Sequence, residues 1–87
     1  MSNEYDIWDA LEAGELSQVV RGFVAELSRL HREAIELYYF QGYTMTEIAK
    51  FLDVPLGTVK RRLHDAREKL RAALFGTPGE KFLAEYL

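Results

Sequence analysis

TMTEIAKFLDVPLGTVKRRLHDAREKLRAAL, residues 44–74, decides how this chain folds. Thr44 and Glu47 have the spacing of a capping box, in which each side chain satisfies a backbone N–H left open in the first helical turn. The spacing predicts a helix from Thr44 to about Leu52, with Ile48, Ala49 and Leu52 as its apolar stripe. Asp53-Val54-Pro55-Leu56-Gly57 breaks it, because Pro55 lacks an N–H and pushes Val54 out of the helical region. A second helix then starts between Pro55 and Thr58. Val59, Leu63, Ala66, Leu70, Ala73 and Leu74 fall within one sector of its helical wheel.

The other faces of the second helix are charged. At about 100° per residue, Lys60, His64, Arg67 and Arg71 line one flank of the apolar stripe. Arg62 and Lys69 line the other, and Arg61, Asp65 and Glu68 point most directly outward. A short helix, a tight turn and a longer basic helix make a helix-turn-helix, whose second helix enters the DNA major groove and reads bases with its N-terminal residues. Those residues here are Leu56, Gly57, Thr58, Lys60, Arg61 and His64. Charge and periodicity alone equally allow a helical hairpin with a solvated charged face.

GYTMTEIAKFLDVPLGTVKRRLHDAREKL, residues 42–70, resembles region 4 of bacterial sigma factors of the extracytoplasmic-function type. The resemblance is carried by Gly42, Thr44, Glu47, Ile48, Ala49, Leu52, Val54, Pro55, Gly57, Thr58, Val59, Lys60, Arg62, Leu63, Ala66, Arg67 and Leu70. The upstream LSRLHREAIELYYFQG is similar to the family's preceding helix through Leu27, Arg32, Glu33, Ile35, Leu37 and Gly42. Together these stretches cover about half of the chain, and so many matches at fixed spacing are far more specific than a generic helix-turn-helix. There are departures. Asp65 stands where the family commonly has a basic residue beside DNA, Ser28 replaces a frequent proline, and no segment resembles the sigma domain that opens the promoter.

Composition bounds the possibilities. Eighty-seven residues make one small domain with a limited core. At 48% hydrophobic residues a folded globule is expected, not a disordered tail. There is no cysteine, which removes disulfide frameworks and thiolate metal sites, and the two histidines, His31 and His64, lack a metal-site spacing. No apolar run approaches the ~20 residues of a spanning helix, and the acidic MSNEYDIWD start has no basic-then-apolar signal, so a cytoplasmic protein is expected. The net charge of −3 sits awkwardly with nucleic-acid binding, for which a basic domain is the norm. The distribution softens that conflict: residues 1–40 carry −5, residues 41–75 carry +3 and residues 76–87 carry −1. The positive charge is concentrated on the helix-turn-helix.

Elsewhere, Glu4–Ala13 has the content of a short helix, with Tyr5, Ile7, Trp8 and Leu11; Trp8 either caps the core or anchors a partner. Leu16–Leu27 is the cleanest amphipathic helix, through Leu16, Val19, Val20, Phe23, Val24 and Leu27. Ser28 is the expected N-cap of a helix through Phe40, with Leu30, Ala34, Ile35, Leu37 and Tyr38 inward and Gly42 as its left-handed C-terminal cap. Tyr38, Tyr39, Phe40 and Tyr43 cluster against the core or form a partly exposed patch for a protein partner. After a break at Phe75–Gly79, Thr77 and Glu80 have the spacing of a second capping box, with Pro78 at the first helical position. Phe82, Leu83, Tyr86 and Leu87 then form a short apolar tail helix that either folds back or docks elsewhere.

The expectation is an all-α chain of four to six helices, with the domain over residues 16–75 and a short helix each in an N-terminal extension (1–15) and a C-terminal tail (76–87). The resemblance implies binding of the −35 promoter element and of the flap of the RNA polymerase β subunit. Lys60, Arg61, Arg62 and Arg67 are then the main basic contacts, and Arg61 or Lys60 can reach guanine edges. Thr44, Thr46, Lys50 and Thr58 suit phosphates, and His64 can stack on or bond a base. Asp65 would repel phosphate and can accept from cytosine N4. Two rivals stay open. One is a LuxR-type helix-turn-helix regulator. The other is a stand-alone sigma-like interaction module that binds polymerase, an anti-sigma factor or another regulator with little DNA reading. No nucleophile motif or Gly-rich loop after a strand is present, so neither catalysis nor a cofactor is expected.

Overall fold

The computed structural model describes residues 15–86, with the backbone alone at positions 15–17, 78, 82 and 86. Its helices are α1 (Glu15–Ala25), α2 (Arg29–Ile35), α3 (Met45–Leu52), α4 (Leu56–Leu74) and α5 (Pro78–Tyr86). Helix α2 runs on through a π-helical turn, Glu36–Phe40. The described residues contain no strand, so the fold is all-α. The helix expected over Glu4–Ala13, the position of Trp8 and the side chain of Leu16 lie outside what is described.

Helix α4 is the spine, and every other helix packs on it. Its inward seam is Val59, Leu63, Ala66, Leu70 and Leu74, each at most 1% exposed. Against that seam lie Val20 and Val24 of α1, Ala34 and Ile35 of α2, Ile48 and Ala49 of α3 and Leu83 of α5. Full burial of one such aliphatic side chain contributes about 1.5–3 kcal/mol, so this contiguous cluster holds the fold. Ala73 is exposed, contrary to the sequence expectation: it sits at the edge of the apolar sector, in the last turn of α4.

The shorter helices follow the predicted faces with local changes. Helix α1 stops at Ala25, and two tight turns follow, Glu26 N–H to the Phe23 carbonyl and Leu27 N–H to the Val24 carbonyl. Val20 and Val24 are buried while Val19 is half exposed, so the inward stripe is narrower than the periodicity implies. Ser28 occupies the N-cap of α2 without a side-chain cap bond, and Leu30 is half exposed. The π turn closes with Gln41 N–H on the Glu36 carbonyl, and Tyr43 N–H reaches the Leu37 carbonyl. Gly42 makes this exit possible: its φ of +80° is the left-handed conformation that disfavours a Cβ.

At α3 the capping box forms as expected. Glu47 N–H donates to Thr44 Oγ1 at 3.0 Å, and Thr44 N–H donates to Glu47 Oε1 at 2.9 Å. Asp53 then takes the left-handed cap position with φ +55°, which Asp tolerates better than most residues. Val54 N–H bonds the Ala49 carbonyl at 3.0 Å, and Pro55, extended, becomes the N-cap of α4.

The second predicted capping box does not form. The Thr77 N–H and hydroxyl both donate to the Leu74 carbonyl, at 2.9 and 2.6 Å, because that carbonyl is an open acceptor at the end of α4. The Glu80 carboxylate instead accepts from Gly76 N–H at 2.6 Å. Helix α5 still begins at Pro78, and it folds back on α1 and α4 with Leu83 buried. Among the described residues no helix is long and apolar enough to cross a membrane.

Candidate nucleic-acid interface

Burying one seam of α4 forces the opposite side outward. Over the first half of the helix, Leu56, Gly57, Lys60, Arg61 and His64 are exposed, while Thr58 and Arg62 are half buried. The Arg61 side chain is 85% exposed and that of His64 67%. The six residues expected to read bases therefore lie along one edge of the domain, with only Thr58 partly covered. On α3, Thr46 and Lys50 are exposed and one turn apart. Thr44 differs from them: its hydroxyl oxygen is already the acceptor of the capping box. The Thr44 backbone N–H and then its hydroxyl hold the Glu47 carboxyl below its ordinary pKa.

Charge on this face is mixed. Asp65 Oδ2 lies 4.0 Å from Arg61 Nε, and Asp65 Oδ1 lies 3.4 Å from His64 Nδ1. Pairs this exposed contribute a few tenths of a kcal/mol at most, roughly 0–0.5, so they bias side-chain directions more than they stabilise the fold.

The second half of α4 is different. Arg71 Nη1 donates to Glu68 Oε1 at 2.6 Å. Arg67 is half buried and donates from Nη1 to the Tyr39 hydroxyl at 2.9 Å. The sequence placed Arg67 among the open cations; the structure places it against the π turn. Tyr39 was legible only as part of an aromatic cluster, since its partner lies 28 residues away.

A second surface lies between α3 and the end of the π turn. It is an apolar notch of about 180 Å³ lined by Leu37, Gln41, Tyr43, Glu47, Ile48 and Phe51. No residue of α4 lines it. Phe51 is 76% exposed and Tyr43 46%, so the patch half of the aromatic-cluster expectation applies to Tyr43, and Phe51 was missed. Its signal was a large apolar residue beside the Ile48–Leu52 stripe rather than within it. The rest of the cluster is structural: Tyr38 meets Tyr39 edge to face with centroids 4.8 Å apart, and the Arg21 guanidinium lies 3.9 Å over Phe40. Among the described residues, no group of three or more His, Cys, Asp or Glu is placed to hold a metal ion.

A turn-linked pair of helices, with a capped first helix and an exposed cationic edge on the second, defines the helix-turn-helix class. The sequence profile of Sigma-70, region 4 matches residues 23–72, and the chain belongs to that family. It is 38% identical to the ECF RNA polymerase sigma factor SigW of Bacillus subtilis over 66 residues, 76% of this chain and 35% of that protein. It is 43% identical over 51 residues to SigL of Mycobacterium tuberculosis, covering 59% of this chain and 29% of that protein. With SigK of Mycobacterium bovis it shares 35% identity over 66 residues, again 76% of this chain and 35% of the relative. The chain thus spans about a third of the length of the relatives it matches. No solved structure matches it.

Proposed function

We propose that this domain acts in transcription initiation, with the first half of α4 reading the −35 promoter element and the Phe51 notch receiving the flap of the RNA polymerase β subunit. Family membership supports both partners. The observation that carries the DNA half is the exposure of Leu56, Gly57, Lys60, Arg61 and His64 at the N-terminal end of α4, with Arg61 directly opposite the fully buried seam and Lys60 and His64 on its flank. In this reading the helix enters the major groove by its N-terminal end. Arg61 presents its guanidinium to guanine O6 and N7, and Lys60 serves guanine or phosphate. The Leu56 side chain suits a thymine methyl, and Gly57 lets the backbone come close. Thr46, Lys50 and Thr58 hold the register on phosphates, Arg62 adds cationic field from the flank, and His64 stacks on or bonds a base. The notch is lined by none of the reading residues, so polymerase and DNA can be held together.

Mixed charge on α4 favours one second reading, a sigma-like module that binds polymerase or a regulator without reading DNA; Asp65 beside both Arg61 and His64 weakens the cationic field there. The deciding experiment pairs a pull-down of core polymerase and isolated flap with a titration of a fluorescent duplex pool at low and moderate salt. Flap binding with sequence-selective, salt-sensitive DNA binding is the expected result. Flap binding without DNA binding supports the second reading, and DNA binding without the flap supports a conventional regulator.

A further inference from the structure

The π turn places three consecutive aromatic side chains where each is engaged. Tyr38 packs edge to face on Tyr39, Phe40 lies under the Arg21 guanidinium of α1, and the Tyr39 hydroxyl accepts from Arg67 of α4. A π turn carries one residue more than an α turn, which rotates every following side chain about the helix axis, and such turns concentrate at functional positions. Here the rotation delivers a hydroxyl to the middle of the spine helix. Arg67 directly follows Ala66, which is fully buried in the seam, so the bond lies at the edge of the core rather than in open solvent.

We infer that Arg67 is a positioning residue: through Tyr39 it locks the roll and slide of α4 against the π turn, and so sets where Lys60 and Arg61 meet DNA. This rests on the promoter-reading assignment and removes Arg67 from the DNA contacts. Lys60 precedes Arg67 by seven residues, about 10.5 Å along the helix. An arginine anchored there fixes the angle of the whole reading end. The cost of losing it falls on selectivity, because a small rotation misaligns base contacts that need fixed geometry while phosphate attraction survives.

The test uses the full 87-residue chain as wild type, Tyr39→Phe, Arg67→Ala and the double variant. Each is titrated against a duplex selected from a randomised pool by the wild type, and against a scrambled duplex, over a range of salt. Tyr39→Phe and Arg67→Ala should each lower the selected-to-scrambled affinity ratio by roughly fivefold, the scale of one net hydrogen bond. The double variant should be no worse than either, and the salt slope should not change. A slope reduced by about 0.9 in Arg67→Ala, with Tyr39→Phe like wild type, would make Arg67 a phosphate contact and overturn the inference. Lower melting temperatures with an unchanged affinity ratio would reduce the bond to a structural one and also overturn it. If the wild type selects no duplex, the promoter-reading assignment falls. Amide exchange over residues 59–67 then decides the lock by itself: faster exchange in both single variants supports it, and unchanged exchange rejects it.

Discussion

The two halves of α4 carry similar charge and use it differently. In the first half, Lys60 and Arg61 project from the domain edge, and the nearest acid to Arg61, Asp65, is 4.0 Å away. In the second half, Arg67 is spent on Tyr39 at 2.9 Å and Arg71 on Glu68 at 2.6 Å. A helical wheel places Lys60, Arg67 and Arg71 on one flank and treats them alike. What separates Lys60 from Arg67 is what stands opposite, since the Tyr39 hydroxyl of the π turn reaches Arg67, while Arg71 is held by Glu68 of its own helix. Cationic character is a poor guide to a nucleic-acid interface until the partners of each cation are known.

Several substitutions sharpen this contrast. Both halves depend on one seam, so Leu63→Ala should erase the distinction altogether. Leu63 is fully buried, and truncation there is expected to cost about 2–5 kcal/mol, read by denaturant unfolding. A cost under about 1 kcal/mol would show that α4 is not the spine. Within the first half, Arg61→Ala should weaken binding to the selected duplex by roughly 1–3 kcal/mol and relax preference at one base pair. Equal loss on every sequence would leave Arg61 a phosphate contact only.

A smaller effect separates folding from reading. Gly57 is helical, and a Cβ built there would meet nothing within 4 Å, so the fold does not require glycine. Gly57→Ala should therefore raise stability by about 0.5–1 kcal/mol from helix propensity. It should also reduce DNA affinity if the backbone approaches DNA closely at this position. Unchanged DNA affinity would remove Gly57 from the interface.

The smallest effect concerns pH. Folding holds the Glu47 carboxyl below its ordinary value through the Thr44 N–H and hydroxyl. Its contribution is therefore present above the ordinary carboxylate range and is lost as pH falls through that range to the lowered folded value. Glu47→Gln should flatten the acid limb of α3 stability, followed by amide exchange at Thr44–Ile48. An unchanged acid limb would remove the capping box as its source.

How much was legible follows from how local each signal is. The capping box at Thr44 and Glu47, the break at Pro55 and the seam from Val59 to Leu74 are encoded within a few residues of themselves, and they appear as read except for Ala73, which is exposed. The Thr77–Glu80 box fails because a carbonyl from the preceding helix, Leu74, outcompetes the local partner. The π turn in Glu36–Phe40 has no pattern of its own, and Arg67 finds Tyr39 across 28 residues, which no helical wheel contains. Phe51 was missed for the opposite reason: it is apolar and yet 76% exposed. The candidate site was thus legible as a list of cations, while the partner of each, Asp65 for Arg61, Tyr39 for Arg67 and Glu68 for Arg71, was not.

The most direct measurement is the salt dependence of duplex binding for wild type, Lys60→Ala and Arg71→Ala under identical conditions. If the first half of α4 meets DNA and the second half does not, Lys60→Ala should reduce the slope of log affinity against log salt by about 1, and Arg71→Ala should leave it unchanged. A reduced slope in Arg71→Ala with a wild-type slope in Lys60→Ala would contradict promoter reading by the first half of α4.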